Sequence, residues 1–424
     1  MNAPTSANDM LRLVNYWAQF SQTQDPQGVT RLPWTTEDRE MVETLTKDFE
    51  DLGLRVQKDA MNNVWAMWDV GAAQSIVIGS HRDSVPSGGP LDGMYGVIGA
   101  MEVIRQLKVQ QYRPRHNIEV VAWNDEEGAR FGTTLFGSRV YTGAVAASQF
   151  ATRQDRSGTI LKDAAVRAGY PLDEMGAQNL QRIAAYIELH IEQGPLLERS
   201  QRTIGVVTGI NAQFRERITV AGVRVHAAYS DHDRSDPIFA TGRVWAQLKE
   251  RLDRLNQGRQ VPRITVTIGQ IDVASHLINA VPPEITWSVD VRADDAVLAQ
   301  EFLQTMHDDL AGVGQEQGFW CRHVPVDTHA DLAGTTDASQ LVLFDETLQA
   351  MIETSAVGLG YSVQPMASWA GHDAMALAPR VPSAMIFVPS VKGRSHTPEE
   401  WTDPKDLAKG VDVLRETVLA RDRG

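Results

Sequence analysis

Four short polar clusters in this sequence contain histidines and carboxylates, side chains that bind divalent metal ions through nitrogen and oxygen. The first cluster follows the apolar run 75–79 and contains His81, Asp83 and Asp92 in a loop rich in glycine and proline, which lets it fold back tightly. His81 and Asp92 are residue types that bind metals, and Asp83 could fix the tautomer of the imidazole through a hydrogen bond to the ring nitrogen that does not bind the metal. Taken alone, such a pattern is more often a loop with solvated acids.

The second cluster, Asn124-Asp-Glu-Glu-Gly, directly follows the apolar run VVAW. Adjacent glutamates are usually a solvated surface pair. At the end of a buried strand, however, one carboxylate of the pair Glu126 and Glu127 can bind metal while its neighbour acts as general base towards water. The third cluster places His190 in ELHIEQGP, and the fourth places His396 in RSHTPEE.

Together the four clusters supply three histidines and three or four carboxylates, which is the ligand inventory of a dinuclear metal site. The single cysteine, Cys321, lies in a strand-like stretch and is interpreted as a packing residue. Nitrogen and oxygen ligands without thiolates favour zinc, manganese or cobalt and argue against a structural cysteine site.

The elements that must position these clusters alternate between helices and short apolar strands. The pattern predicts helices at 41–54 and 96–107 and strands at 75–79, 117–123 and 185–190. Such alternation is typical of an α/β domain with a largely parallel or mixed sheet. In these sheets ligands bind at the carboxyl ends of the strands, which is where the polar clusters fall.

The order of predicted strands and helices changes between residues 213 and 327, which predicts a second domain inserted in the first. The predicted order of strand, helix, strand, strand, helix, strand is that of a ferredoxin-like sandwich. The predicted elements are strands at 216–222, 263–270, 284–292 and 318–324 and helices at 237–255 and 296–313. The first domain resumes with a helix at 343–358, a strand at 383–388 and a helix at 406–420. We therefore predict a catalytic domain of residues 1–212 and 328–424 around an insert of residues 213–327.

The composition fits a globular protein of two or three domains, with 424 residues of which 42% are hydrophobic and 22% are charged. The formal net charge of −14 argues against nucleic acid or an anionic membrane as a partner. No apolar run reaches the roughly 18 residues of a membrane span, and the N-terminus lacks a secretory signal pattern. One cysteine allows no intrachain disulfide, so we expect a cytoplasmic protein.

Longer motifs carry a family resemblance, in order and spacing, over nearly the whole chain. They are GSHRDSVPSGGPLDG, NDEEGARF followed by GSRVYTG, ELHIEQGPLLE, NAVP followed by DVR, AGHDAMALA and SHTPEE. With them the chain resembles the dinuclear metallohydrolases that include aminoacylase and carboxypeptidase G, in particular their N-carbamoyl-L-amino-acid hydrolase and allantoate amidohydrolase branch. The resemblance implies a zinc-exopeptidase-like catalytic domain interrupted by a smaller dimerisation, or lid, domain.

The resemblance also implies two divalent metal ions per subunit, bridged by Asp92. Zinc is the expected metal, with manganese, cobalt or nickel as alternatives. Glu126 would be the general base that takes the proton of the water between the ions. The other implied ligands are His81, Glu127, His190 and His396.

For the substrate, the resemblance implies a small carboxylate-bearing molecule. The planar guanidinium of Arg292 suits a carboxylate because it can bind both oxygens at once. His372, in AGHDA, would form a wall of the site or support a metal ligand. A homodimer is implied, in which His226 of one subunit completes the active site of the other. The implied substrate-binding residues are Gln193, His226, Asn279, Arg292 and Gly371.

We therefore expect hydrolysis of an N-carbamoyl (ureido) amino acid to the free amino acid, carbon dioxide and ammonia. Allantoate, ureidoglycolate, an N-acyl amino acid or a dipeptide stay open as substrates, and so does a non-catalytic, ligand-binding role. One segment departs from the family pattern. After His226 the chain continues Ala-Ala-Tyr-Ser-Asp, slightly shorter than usual and without Gly-Thr-Thr-Pro. This change bears on the substrate and on the contact between subunits, whereas the metal chemistry is untouched.

Overall fold

The computed structural model describes residues 4–23, 28–230, 234–259, 261–275, 277–325 and 341–424. The chain forms two compact units. The first unit comprises Met1–Ile210 and Val342–Gly424, and the second unit is Asn211–Leu341. The domain limits expected from the sequence stay a prediction, because residues 326–340, at the second limit, lie outside the described residues.

The first unit is built on one mixed sheet of nine strands. They are β1 (Arg55–Lys58), β2 (Val64–Trp68), β3 (Ser75–His81), β4 (Asn117–Trp123), β5 (Ile183–Ile191), β6 (Ile204–Ile210), β11 (Val342–Leu343), β12 (Val363–Ser368) and β13 (Ser383–Val388). Their order is β1-β2-β4-β3-β5-β13-β6-β11, and β12 also pairs with β6. The central strands β4, β3, β5 and β13 run parallel and are buried along their whole length. Strands covered on both faces need apolar side chains throughout, which explains their continuous apolar runs.

Helices cover this sheet, and side-chain caps set where several of them begin. They are α1 (Ala7–Ala18), α2 (Thr36–Asp51), α3 (Met94–Val109), α4 (Phe136–Thr142), α5 (Leu161–Arg167), α6 (Leu196–Ser200), α9 (Glu346–Gly358), α10 (Asp373–Leu377) and α11 (Pro404–Arg423). Thr35 caps α2 by accepting the N–H of Asp38, and Asp403 caps α11, with Pro404 at its first position. The apolar sides of α3 and α11 share one core with the central strands, which holds those strands in place.

The polar clusters meet because the central strands are parallel. β3 ends at His81, which lies opposite Trp123, the last residue of β4. His190 lies one residue before the end of β5, opposite Phe387 of β13. The carboxyl ends of parallel strands share one edge of a sheet, so the loops that follow these strands begin side by side.

The second unit is an antiparallel sheet with two helices packed on one face. Its elements are β7 (Ala212–Ala221), α7 (Pro237–Asn256), β8 (Ile264–Val273), β9 (Glu284–Ala293), α8 (Ala296–Gln317) and β10 (Trp320–Pro325). The strand order is β10-β7-β9-β8. Alternate residues of β9, such as Trp287 and Val289, join the apolar core under the helices. This is the predicted ferredoxin-like order, and the predicted α/β class with a mixed sheet is confirmed.

Predicted and observed elements agree best where the signal is a continuous apolar run. The strands predicted at 117–123 and 383–388 are β4 and β13. The sequence pattern did not predict α1, β1, β2, β6 or β12. Two of the missed strands contain residues that weaken a strand signal, since β6 has two glycines and β12 has a proline. Among the helices in the described ranges, none has both the length and the apolar character that a membrane crossing requires.

Candidate metal centre

Asp92 lies at the centre of a group of histidines and carboxylates in the first unit. Its Oδ1 atom lies 3.3 Å from Nε2 of His81 and 3.2 Å from Nε2 of His190. Its Oδ2 atom lies 3.1 Å from Nε2 of His396. One buried carboxylate therefore faces two histidines with one oxygen and a third histidine with the other.

The tautomers of His81 and His190 leave the lone pairs of their Nε2 atoms near Asp92, although Nε2 of His190 also accepts the N–H of Gly93 at 3.1 Å. Nδ1 of His190 lies 2.8 Å from the backbone carbonyl oxygen of Ile191, and Nδ1 of His81 lies 3.1 Å from that of Asp83. A carbonyl oxygen can only accept, so both Nδ1 atoms carry a proton and Nε2 of each neutral ring presents a lone pair. Lone pairs that face an oxygen of the Asp92 carboxylate need a cation or a proton between them.

Glu127 and His396 form a second donor group with the other oxygen of Asp92. Oε1 of Glu127 lies 3.2 Å from Nε2 of His396, yet this buried oxygen has no hydrogen bond within the described part of the chain. Three overlapping groups have ligand atoms within 4.8 Å of one another. The groups are His81–Asp92–His190, Asp92–Glu127–His396 and His81–Glu126–Glu127. Asp92 is the residue that the first two groups share.

The charges of this centre act on each other in a space largely closed to water. Burial alone would raise the pKa of Asp92, but a histidine that is protonated in place of a bound cation donates to it from Nε2, and such hydrogen bonds from the three facing histidines hold that pKa well below its usual range. Burial raises the pKa of Glu126 well above its ordinary value, and the negative charge of Glu127 adds to this rise. Imidazole nitrogens, carboxylate oxygens and one unpaired buried oxygen together fit divalent cations.

Backbone contacts fix the loops that carry these ligands. The carboxylate of Asp83 accepts the N–H groups of Glu126 and Glu127 at 3.0 and 3.1 Å. Asp83, predicted to orient His81, thus faces the imidazole with its backbone carbonyl, while its carboxylate holds the loop after β4. Gly93 has a φ of +65°, and a Cβ atom there would lie 2.3 Å from the ring of His81, so only glycine fits directly after Asp92.

Glu400 holds Asp92 in position, a role that was not predicted from the sequence. Its Oε1 accepts the N–H groups of Leu91 and Asp92, both at 3.0 Å. Its Oε2 accepts a hydrogen bond of 2.7 Å from the hydroxyl of Ser395. The sequence signal for Glu400 was the motif SHTPEE, but two adjacent glutamates usually indicate a solvated pair.

Gln193, predicted to bind substrate, instead contacts the central carboxylate. It donates from Nε2 to Oδ2 of Asp92 over 2.8 Å.

Gly371 and His372 lie between β12 and α10, and His372 packs beside a metal-ligand candidate. Its buried ring lies 4.5 Å, centroid to centroid, from the ring of His190. Glu188, for which the sequence predicted no role, ties this segment to the sheet, because its Oε2 accepts the N–H of Ala374 at 2.8 Å. The AGHDA motif is thereby held against the strand that carries His190.

His226 and Asn279 lie together in the second unit, beyond the end of the ladder between β7 and β9. His226 pairs with Ala280 in an isolated bridge, next to Asn279. Nδ1 of His226 accepts the N–H of Ala228 at 3.2 Å, so the neutral ring carries its proton on Nε2. That atom is a potential donor to a carbonyl oxygen. Residues 231–233 of the altered segment lie outside the described residues.

Arg292 lies near the opposite end of β9, on the sheet face that the helices do not cover. Its Nε and Nη2 atoms bind the two carboxylate oxygens of Asp290 at 2.9 and 3.0 Å, and Nε of Arg215 binds the same carboxylate at 2.8 Å. The ten residues of β9 span roughly 30 Å. The second unit therefore does not bring Arg292 near His226.

Comparison with known proteins identifies the family. The chain matches the family model of peptidase family M20/M25/M40 over residues 77–420. It is 32% identical over 416 residues to an allantoate amidohydrolase of Bacillus subtilis (strain 168), with 97% of each chain covered. It is 33% identical over 404 residues to an N-carbamoyl-L-amino-acid amidohydrolase of Paenarthrobacter aurescens, with 93% of this chain and 94% of that one covered.

A solved structure is similar over the same length. The crystal structure of an amidase of the hydantoinase/carbamoylase family from Burkholderia vietnamiensis aligns with a TM-score of 0.85 at 30% identity, over 99% of this chain and 98% of that chain. The chain therefore belongs to peptidase family M20/M25/M40. The resemblance inferred from the motifs is confirmed, and the matched residues include all four polar clusters.

We predict that Glu400→Ala weakens metal binding although it removes no ligand. The substitution takes away the acceptor of two N–H groups beside Asp92, so the carboxylate is no longer held in place. Supporting groups of this kind typically contribute about 10–100-fold in metal affinity. Competition with a chromophoric chelator measures that affinity. Glu399→Ala is the matched control, since the side chain of Glu399 is 66% exposed, and equal affinities of the two variants would contradict the role of Glu400.

Proposed function

We propose that this chain is a metal-dependent amidohydrolase that uses water to cleave a C–N bond of a small carboxylate-bearing substrate. N-carbamoyl (ureido) amino acids are the proposed substrate class, with allantoate, ureidoglycolate, N-acyl amino acids and dipeptides as alternatives. The observation that carries the proposal is the position of Asp92, whose two oxygens face two groups of ligand atoms with Glu126 beside them. The relatives of the two named activities match at 32% and 33% identity, so identity does not choose between them.

Two divalent cations per subunit are proposed, one in each group that shares Asp92. His81 and His190 would hold one, and Glu127 and His396 would hold the other. When bound, such ions polarise a carbonyl group and lower the pKa of water. Zinc is the preferred metal because the ligands are imidazole nitrogens and carboxylate oxygens, and manganese, cobalt and nickel are the alternatives.

Glu126 is proposed as the general base. Its Oε2 atom lies 4.0 Å from Nε2 of His81, and its carboxylate accepts no hydrogen bond from any residue in the described ranges. Both of its oxygens are therefore available to a water molecule at the centre. The carboxylate would take a proton from water as the water oxygen bonds to the carbonyl carbon. It would then give that proton to the nitrogen as the C–N bond breaks.

The substrate contacts are proposed to require a homodimer. Arg292 would bind the substrate carboxylate, and Nε2 of His226 would donate to the carbonyl oxygen as negative charge develops there. Arg292 lies near the last residue of β9 and His226 lies beyond its first residue, so one small substrate cannot reach both within a single second unit. We therefore propose that His226 and Asn279 act on the active site of the partner subunit, while Gln193 and Gly371 complete the site.

The cellular location belongs to the same proposal. The chain has one cysteine, Cys321, which is free in the structure. A protein without disulfides suits a reducing compartment, and we propose the cytoplasm.

Hydrolysis assays on the purified protein test the proposed activity. The panel comprises N-carbamoyl-L-amino acids, their D-enantiomers, allantoate, ureidoglycolate, N-acetyl amino acids and dipeptides, with released ammonia and amino acid measured. We expect the highest kcat/KM for an N-carbamoyl amino acid, and loss of turnover on chelation with recovery on adding metal. A higher kcat/KM for another compound of the panel would show that this compound's class, and not the N-carbamoyl amino acids, is the substrate class. Turnover that survives complete chelation would rule out the metal-dependent mechanism.

We predict that Glu126→Gln binds metal and substrate but loses most of its activity. The amide has nearly the same shape as the carboxylate but cannot accept the proton of water, and such groups contribute roughly 10²–10⁴-fold in rate. Steady-state kinetics measure kcat, and elemental analysis shows that the metal content is unchanged. Near-full kcat in the variant would show that another group is the base.

Mixing two inactive proteins tests the proposed role of His226 in the partner subunit. We predict that His226→Ala and Glu126→Gln, each inactive alone, regain activity after their subunits exchange. In the heterodimer one active site carries both defects and the other carries none, so about one quarter of wild-type activity is expected from a statistical mixture with one intact site per heterodimer. Exchange is verified by mass spectrometry of differently tagged chains. No recovery despite exchange would show that His226 does not complete the partner's site.

A further inference from the structure

A second group of metal-binding side chains lies in the second unit. It consists of Glu216 on β7, His307 on α8 and His323 on β10, with ligand atoms within 4.8 Å of one another. None of these residues takes part in the proposed amide hydrolysis. We propose that the three side chains form a separate zinc site within the second unit, in addition to the catalytic centre.

Glu216 points into the layer between the sheet and its helices, among apolar neighbours. Phe214 and Ile218, two residues before and after it on β7, both belong to the apolar core under the helices. The side chain of Glu216 is only 12% exposed, and an ionised carboxylate in such surroundings needs a partner. His307 provides one, because its Nε2 lies 2.6 Å from Oε2 of Glu216.

His323 places a second imidazole directly against the first. It lies opposite Ile218 in the pairing of β10 with β7, which makes it a diagonal neighbour of Glu216 on the same face. The rings of His307 and His323 are stacked, with centroids 3.9 Å apart and 19° between their planes. The lone pairs of imidazoles lie in the ring planes, so one of the two stacked rings must turn for both to reach the same cation.

The chemistry of the three side chains selects zinc. Two imidazoles and one carboxylate are a common zinc ligand set, with bonds of about 2.0–2.2 Å, and a fourth position stays open to water. Glu216 and His307 already lie together, and His323 is exposed, so its side chain can turn towards them. A bound ion would tie α8 to β7 and to the edge strand β10. It would therefore stabilise the folded second unit, by an amount that grows with the logarithm of the free zinc concentration once that exceeds the dissociation constant.

Zinc content of a matched pair of proteins tests this site. Full-length wild type and His323→Gln are dialysed to equilibrium against micromolar zinc chloride, and the zinc per chain is measured by elemental analysis. We expect the variant to hold about one ion fewer per chain. His323→Gln leaves the contact between Glu216 and His307 in place. The result is the difference in zinc per chain between wild type and His323→Gln, so the test does not depend on how many ions the catalytic centre holds.

A second variant and a control separate ligand loss from misfolding. In Glu216→Gln the amide oxygen can still accept from His307, but a neutral amide is a poor zinc ligand, so we expect the same loss of zinc. His116→Gln is the control, because His116 contacts Asp422 in the first unit and belongs to none of the metal-binding groups of the described residues. Added zinc should raise the unfolding temperature of wild type and of His116→Gln more than that of the two ligand variants. Equal zinc content and an equal rise in wild type and His323→Gln would overturn the site.

Discussion

The first unit depends on one electrostatic constraint, the burial of several carboxylates at a single edge of its sheet. Asp92 is 5% exposed and Glu188 is fully buried. Taking an ionised carboxylate out of water costs several kcal/mol unless charges and hydrogen bonds compensate for it. In the described residues these compensations come from backbone N–H groups, hydroxyls and imidazoles. The parallel strands make this possible, because they end together and deliver four polar loops to one place.

The buried carboxylates divide into two classes by what their oxygens contact. Asp83 and Glu400 each accept two backbone N–H groups, so their charge is balanced by the loops that they hold. Glu127 and Glu126 instead face the centre, and Oε1 of Glu127 has no hydrogen bond within the described ranges. Asp83 and Glu400 form an outer class, and Glu126 and Glu127 form an inner class. Removing an outer carboxylate would release a loop, whereas removing an inner one would remove a candidate metal ligand or the candidate base. The outer class thus bonds the loops that carry Glu126, Glu127 and Asp92.

The sequence predicts the inner class better than the outer one, for a physical reason. Glu126 and Glu127 can be located because they closely follow the apolar run of β4, which fixes the strand and therefore where it ends. Glu400 contacts Leu91 over a separation of 309 residues, and no local pattern reports such a contact. The same holds for Glu216 and His307, which lie 91 residues apart in sequence and meet only when α8 packs on β7. Strands such as β6 are missed because their glycines weaken the apolar signal, although pairing with β13 stabilises them.

The second unit imposes a constraint of its own on any mechanism that uses both His226 and Arg292. β9 is a paired strand in the middle of its sheet, so it cannot shorten or bend enough to bring its two ends together. Side-chain rotation moves an imidazole or guanidinium by only a few ångströms, which is small against roughly 30 Å of strand. A substrate of amino-acid size that contacts both residues must therefore be held by two copies of this unit. In that case each active site of a symmetric dimer takes Arg292 from one copy of the unit and His226 from the other, because the rigid strand keeps these two residues of one copy apart.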